Sequence, residues 1–562
     1  MHSHKILRIT SANIPLQKKI SQELSITPVL AQILLNRGIR NASEAEKFLN
    51  TKIEHLHSPF SFSQMDKSVE LIKHAAKNKD KVMIYGDYDV DGMTSVALLK
   101  HTLKKIGIDA LHYLPHRVKE GYGLNKNIVG LAKEKKIKLL ITVDCGTSNH
   151  KEIAALRRNH VEVIVTDHHE PAGSVLPDAS GMINPKLKDA GYPYRDLAGV
   201  GVAYKLCQAL TNSLLLEDLD LVTLGTIADV VPLTGENRII TKEGLKNFPQ
   251  TKRPGLQALI NNAGIKDRKF TPTYISFIIG PRLNASGRMS SAETSLKLLM
   301  SEVASEAEEL AKLVEAENRQ RQKVEGQIMA EAEAIISKEI NFKDHQVIVI
   351  AKEDWHQGVL GIVAAKLADR FYRPAIVISL NEKMCKGSGR SIKNFHLFDA
   401  LVECKELLHT FGGHAHAAGL TIAKDSVGEF RKTINRLAKE KLSLEDLIPS
   451  LDIDLEVGLA DLNDKVATEL EMLEPYGAGN PEPLFYTRNL KIKGEPQLLS
   501  RDTLKFWVTD GTHTIQAIGF GMGGLKDSVV ASDSVDLVYS PRIDYWRDAS
   551  SLILEVRDIF LK

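Results

Sequence analysis

Val163-Ile164-Val165-Thr166-Asp167-His168-His169 is a short β-branched run that stops at an aspartate and two adjacent histidines. Leu139-Leu140-Ile141-Thr142-Val143-Asp144-Cys145-Gly146 has the same form, and so does Val82-Met83-Ile84-Tyr85-Gly86-Asp87-Tyr88-Asp89-Val90-Asp91-Gly92. A strand of a parallel sheet, covered on both faces, reads as a continuous apolar run, and open α/β sheets place ligands beyond the carboxyl ends of their strands. Three strands that each deliver Asp or His at one end predict an α/β domain with a mainly parallel sheet and a metal site above it.

The chemistry of that site follows from its charge. Asp87, Asp89 and Asp91 alternate, so on an extended strand they face one side, with Gly92 permitting a turn into the next helix. Asp144, Asp167, His168 and His169 join them, and so does Asp229, read as a fourth strand end, in Thr226-Ile227-Ala228-Asp229-Val230-Val231. Two like charges at 4 Å cost about 4 kcal/mol at an effective dielectric of 20, so four or five carboxylates in one pocket cost on the order of ten kcal/mol. Two divalent cations relieve this better than protonation does. Oxygen-rich ligation with a little imidazole favours Mn2+ or Mg2+ over zinc. A single such aspartate is most often a helix N-cap and a single histidine a satisfied polar group; the repetition is what points to metal. Consecutive strand-end side chains diverge, so His168 is expected to ligate and His169 to face a leaving group.

The 562 residues exceed one hydrophobic core and predict three or four domains. Hydrophobic content of 43% and charged content of 26% are those of an ordinary globular protein. No apolar run is long enough to span a membrane, and Met1-His2-Ser3-His4-Lys5 leads into no secretion signal. Cys145, Cys207, Cys385 and Cys404 have no CxxC spacing, so a reducing, cytoplasmic setting is expected. A net charge of +2 neither supports nor excludes a polyanion partner, because local clustering decides that.

The first fifty residues read as helical, with Thr27 as cap and Pro28 at the first helical position. From about Lys81 β-rich runs alternate with amphipathic stretches, predicting βαβ units over 51–300. Residues 301–340 read as a long connecting helix, with a break expected near Gly326. A second, smaller α/β domain is expected over 341–448 and an all-β barrel over 449–562, where Thr503–Thr509 and Thr514–Phe520 alternate. Phe506, Trp507, Phe520, Tyr539, Tyr545 and Trp546 are its candidate base-stacking residues, the alternative for each being barrel core.

Two glycine-rich motifs and two arginine elements complete the site. Gly412-Gly413-His414-Ala415-His416-Ala417-Ala418-Gly419 reads as a turn whose backbone can approach a phosphate, and Gly387-Ser388-Gly389-Arg390-Ser391 as a small-residue turn carrying an arginine fork. Arg117 follows the apolar run Ala110 to Leu114 and so belongs near the ligand end of the sheet. Gly280-Pro281-Arg282-Leu283-Asn284-Ala285-Ser286-Gly287-Arg288 reads as a loop entering the long helix, carrying Arg282, Asn284 and Arg288.

Asp167-His168-His169 after a strand, with Gly86 to Gly92 before it and Ile227-Ala228-Asp229 after it, resembles the DHH phosphoesterase superfamily. The resemblance implies Asp89, Asp91, Asp144, His168 and Asp229 as metal ligands, with Asp144 bridging two divalent ions. Asp87 stands near where several relatives carry a histidine ligand and is counted with this set. Asp91, Asp144 and His169 are the residues it makes catalytic. Gly412, Gly413 and His414 resemble the GGH motif of the associated domain. The extra C-terminal barrel, approached through Glu474-Pro475-Tyr476-Gly477-Ala478-Gly479-Asn480-Pro481, and the arginine loops are similar to those of the RecJ exonucleases within the superfamily. That resemblance implies an OB-fold, a 5′-phosphate pocket of Arg117, Ser388 and Arg390, and backbone contacts from Arg288. It further implies 5′→3′ exonuclease action on single-stranded DNA in recombination and repair, as a cytoplasmic monomer, beside single-strand-binding protein and a RecQ-type helicase. A phosphodiesterase of small phosphoesters and a non-catalytic replication scaffold are the alternatives.

Overall fold

The β-branched runs pair as their composition requires. Leu111–Tyr113, Val82–Tyr85, Leu139–Val143, Glu162–Thr166 and Gly181–Ile183 form, in that spatial order, a five-stranded sheet in which every neighbour is parallel. The three central strands are buried almost throughout, so apolar side chains on both faces meet helices. The register sets Tyr85 beside Thr142, and Val143 beside Thr166, so the strands end side by side. Structure is described for residues 5–562 of this computed structural model, apart from 172, 267, 382, 547 and 548 and the side chains at 545, 546, 549 and 550.

Three expectations about the metal-binding stretch need correction. Asp87, Asp89 and Asp91 do not alternate on a strand: the strand stops at Tyr85, Asp89 caps a helix Val90–Lys105 by accepting the N–H of Gly92 (3.1 Å), and Asp91 lies in its first turn. Gly92 is therefore helical, and glycine is needed because a Cβ there would stand 2.4 Å from the Asp87 carbonyl oxygen. Asp229 ends a helix, Leu219–Ala228, rather than a strand. That helix is buried on all sides, and a fully buried helix shows the same unbroken apolar run as a buried strand.

The Gly280 to Arg288 segment is likewise no loop. It is a helix, Gly280–Met289, preceded by a π-helical turn Ile275–Ile279 and separated from the long helix by another, Glu293–Met300. The long helix runs unbroken over Ala304–Glu339, through Gly326. One exposed glycine costs a helix about 1 kcal/mol. A buried stripe at spacings of three or four, from Ala307, Ala311 and Val314 to Ile328, Ala332 and Ile336, outweighs that.

The second α/β sheet has the order Leu408–Gly413, Ala417–Ala423, Met384–Arg390, Ala375–Leu380, Ile348–Glu353, parallel only in its last pair. Gly387-Ser388-Gly389-Arg390 is strand here, not turn, whereas Gly412 to Gly419 is a hairpin, two strand ends joined by a turn at 414–416. A Cβ on Gly387 or Gly389 would come within 2.9 Å of Leu420 or Leu397, so these glycines let a strand lie close under its neighbours. Residues 57–229 and 244–449, holding both α/β sheets and the long helix, form one compact unit.

Residues 5–56, 230–243 and 450–562 form the other. Its strands Phe485–Leu499, Thr503–Thr509, Thr514–Gly519, Ala549–Leu561 and Val535–Trp546 follow one another, and the last pairs back onto the first to close a five-stranded barrel. N-terminal Leu30, Ile33 and Leu34 share one core with Phe485, Phe506 and Tyr539 of the barrel. Thr27 caps its helix as expected, accepting the Leu30 N–H. The buried Arg238 guanidinium donates to the carbonyls of Phe48, Met472 and Leu473, tying three chain segments together. Among the candidate stacking residues, Phe506 and Tyr539 are core, whereas Trp507 and Phe520 are exposed; the side chains of Tyr545 and Trp546 lie outside the described residues. All four cysteines are buried thiols. Among the described residues no helix is long and apolar enough to cross a membrane.

Candidate active site

Beyond the carboxyl ends of the parallel strands the acidic and imidazole groups converge. His168 Nε2 lies 3.2 Å from Asp144 Oδ1, 3.5 Å from Asp229 Oδ2 and 3.8 Å from Asp91 Oδ2. Asp87, Asp89 and Asp144 each offer an oxygen within 4.8 Å of the other two, and Asp91, His168 and Asp229 do the same with their own atoms. Two neighbouring donor groups result, with Asp144 in one and against the imidazole of the other. Asp144 reaches this place through a left-handed backbone, φ 60°, uncommon for a residue with a side chain. Its carboxylate fills the space a Cβ on Gly199 would take, 2.6 Å away.

The electrostatics are those of carboxylates crowded together out of reach of water. Burial, and after it the neighbouring carboxylates, push Asp87, Asp144 and Asp229 well above the usual carboxylate range and Asp91 up to about 7. Burial, and then the charge of His169, pulls His168 down to about 3, leaving it as the neutral imidazole that can ligate. Asp87 Oδ1, Asp144 Oδ1 and His168 Nε2 are buried without a hydrogen bond. Orphaned buried acceptors are costly and rare, so their collection at one point fits a cation site. Carboxylate oxygens with one imidazole suit Mn2+ or Mg2+.

Asp167 is set apart from the ligands. It accepts the N–H groups of His168, His169 and Thr147 at 2.8, 3.1 and 2.9 Å, and meets His169 Nδ1 at 2.8 Å. Burial works against its charge, but these bonds and the two imidazoles hold it far below the usual range. Burial also opposes the charge on His169, yet Asp167 raises its pKa above the ordinary value. With Nδ1 occupied by Asp167, and the Tyr122 hydroxyl 2.9 Å away, Nε2 is the nitrogen left for a substrate.

Sequence reading missed three supports. Tyr122, whose hydroxyl also donates to the Asp144 carbonyl (3.1 Å), carries no local signal in its loop. The backbone N–H groups of Gly199 and Val200 donate to the two oxygens of Asp91 at 2.7 and 2.8 Å, joining a candidate ligand to a helix N-terminus more than a hundred residues away. The third is Gly361, at the start of the helix Leu360–Phe371, where a Cβ would stand 3.0 Å from Ser388 Oγ and 3.7 Å from Arg390 Nη2.

That helix start is the centre of a second cluster. Ser388 and Arg390 face it from their strand, and Arg288 Nη1 donates to the Gly358 carbonyl (3.1 Å). Arg117 lies over the Tyr88 ring at 4.7 Å and acts electrostatically on Asp87 as well as on Arg390 and Arg288. Burial, then Arg117, lowers Arg390; burial, then Arg117, Arg321 and Arg390, lowers Arg288 to about 9. Convergent guanidiniums at a helix N-terminus make an anion site. Asn284 touches the metal loop, accepting the Val90 N–H at 3.2 Å. Arg282 turns away to pair with Glu315 at 2.8 Å. Gly412, Gly419 and Ser388 occupy one row across adjacent strands, so the exposed glycine motif lies about 10 Å from Ser388. Gly413 and His414 close the hairpin there, the His414 N–H donating to the Ala417 carbonyl.

The sequence matches the DHH family, N-terminal domain, over residues 81–226, the DHHA1 domain over 344–440 and the RecJ OB domain over 453–558. It is 39% identical to the single-stranded-DNA-specific exonuclease RecJ of Bacillus subtilis, spanning 96% of this chain and 69% of that one. The Salmonella typhimurium enzyme of the same name is 34% identical over 95% of this chain and 96% of its own. The crystal structure of RecJ from Thermus thermophilus in complex with Mn2+ superposes with a TM-score of 0.85 at 28% identity, covering 99% of this chain and 80% of that one. Sequence kinship over nearly the whole length, in the same domain order, means that the chain belongs to the RecJ family of single-stranded-DNA-specific exonucleases.

Proposed function

We propose that this protein removes nucleotides one at a time from the 5′ end of single-stranded DNA, with the two clusters described above as its cutting and measuring parts. Single-strand exonuclease activity with a divalent cofactor, in recombination and repair, follows from family membership. The observation that carries the finer reading is the adjacency of a buried acidic cluster and a half-buried basic one, Arg117 acting electrostatically on members of both. Asp87, Asp89, Asp144, Asp91, His168 and Asp229 would hold two divalent ions. Such ions polarise a phosphodiester, lower the pKa of bound water and offset charge on the departing oxygen.

The chain's own groups divide the remaining work. Arg117, Ser388 and Arg390 grip a terminal 5′-phosphate, with the helix start at Gly361 adding its dipole. Asn284 keeps the metal loop in place. His169 presents Nε2 to the leaving 3′-oxygen while Asp167 holds Nδ1, and its raised pKa keeps a proton available near neutrality. Gly412, Gly413 and His414 supply backbone to the strand farther along. A 5′-phosphate held at a fixed distance from the cut releases a 5′-mononucleotide and leaves a new 5′-phosphate for the next round. The cytoplasmic location, the monomeric state, and work beside single-strand-binding protein and a RecQ-type helicase are supported by family resemblance.

Incubation with Mn2+ and a 5′-labelled single strand, beside pyrophosphate and a 3′-labelled strand, tests this. The expected product is labelled mononucleotide at once from the 5′ label. Hydrolysis from the 3′ end, or equal attack on a blocked 5′ end, overturns the polarity.

A further inference from the structure

Phe277 is 76% exposed, the most exposed aromatic ring among the described residues. A lone exposed apolar side chain needs no explanation; its position does. It lies in the π-helical turn Ile275–Ile279, a rare geometry found often at functional sites. Ile275 and Ile279 on that turn are fully buried, so the packed residues hold the turn while Phe277 points to solvent.

The helical run from this turn to Met289 passes three landmarks of the active site. At its far end Arg288 stands in the basic cluster. One turn back, Asn284 accepts the N–H of Val90, between Asp89 and Asp91. One turn farther back, a Cβ on Gly280 would lie 3.8 Å from that of Ala228, the residue before Asp229. Phe277 follows three residues beyond. At about 1.5 Å per residue, Phe277 is roughly 16 Å from Arg288 along the run and about 10 Å past Asn284. Phe277 is thus about two turns along the same run from Asn284 and three from Arg288.

We infer that Phe277 is a stacking platform for a nucleobase on the 3′ side of the cut. This rests on the proposed placing of the 5′-phosphate at the basic cluster. A strand that begins there and crosses the metal loop along this run has the π turn as its next landmark. The last 10 Å correspond to one or two nucleotides of a chain drawn out to about twice the roughly 3.4 Å spacing of a duplex strand. An aromatic face accepts any base and so adds hold without adding sequence preference. It also demands an unpaired base, which contributes to rejection of duplex.

The test is a set of 5′-phosphorylated single strands, each with one abasic position among the first five, cut by the full-length wild-type protein and by Phe277→Ala, Phe277→Leu and Phe277→Trp. In the wild type one abasic position 3′ of the cut should lower kcat/KM at least about fivefold. Phe277→Ala should lose a similar factor on the intact strand, mostly in KM, and show no further loss at that position. Phe277→Trp should keep both the activity and the abasic penalty; Phe277→Leu should keep neither. Full activity of Phe277→Ala on the intact strand, an abasic penalty unchanged in that variant, or no penalty at any position in the wild type overturns the inference. Digestion from the 3′ end by the wild type, visible on the intact strand alone, instead overturns the polarity beneath it.

Discussion

The acidic cluster is a buried collection of one sign and the arginine cluster a half-buried collection of the other, and the protein relieves them differently. Carboxylates start near pKa 4 and can retreat into the neutral form, which is where burial drives Asp87, Asp144, Asp229 and Asp91. Guanidiniums start so high that even Arg288, lowered to about 9, stays charged at neutral pH. The acidic side can therefore wait for its cations as protonated acid. The basic side waits as charge, offset by the Gly358 carbonyl and the Tyr88 ring. Metal binding should thus exchange protons, and phosphate binding by the arginines should not.

Removing the shared ligand should break that pairing most severely. Asp144→Ala should lower Mn2+-dependent cleavage by at least about 10³-fold. The metal-free variant should melt no lower than wild type, because a buried polar group without a hydrogen-bond partner has gone; turnover assays and thermal melts on the same preparation read both. His169→Ala should cost about 10²- to 10³-fold in kcat, while calorimetry still counts the same number of Mn2+ sites. Loss of a metal instead would exchange the roles of His168 and His169.

Acid sharpens the contrast. A carboxylate whose pKa is raised is protonated below that value and must release the proton to ligate, so Mn2+ affinity should fall as pH drops through about 7, the value of Asp91. The slope should be about tenfold per pH unit for each proton released. Calorimetry in two buffers of different ionisation heat measures those protons directly; a flat affinity from pH 8 to 6 would contradict the protonated resting state. Arg390→Ala should reduce the preference for 5′-phosphorylated over 5′-hydroxyl strands by about tenfold, the weight of one charge-assisted bond, without altering metal binding. Smallest of all, Arg282→Ala should leave that preference unchanged and cost stability about 1 kcal/mol, since its partner is Glu315 rather than the strand.

Much of this site was legible along the chain. Strand Leu139–Val143 falls where its β-branched run puts it. The aspartates and histidines at the strand ends are local features, because a strand of a buried sheet must hand its polar residues to the loop that follows. Misreadings came where a local pattern has two solutions. A buried helix ending at Asp229 reads like a strand, and Gly387-Ser388-Gly389-Arg390 reads like a turn until Leu420 and Leu397 are seen against it. Tyr122, the N–H groups of Gly199 and Val200, and Gly361 carry no motif, since their chemistry is supplied by partners distant in sequence.

By itself, then, the sequence determined which groups carry charge, which runs are apolar and at what period, and hence an α/β core with ligands at its strand ends. Tertiary structure alone decided that Asp144 adopts φ 60° beside Gly199, that Asp91 is held by a distant helix start, and that Arg288 joins the cluster while Arg282 does not. The reason is one of range. Periodicity and capping act within a few residues, whereas a pKa shift or an orphaned acceptor depends on what chain folding brings within several ångströms.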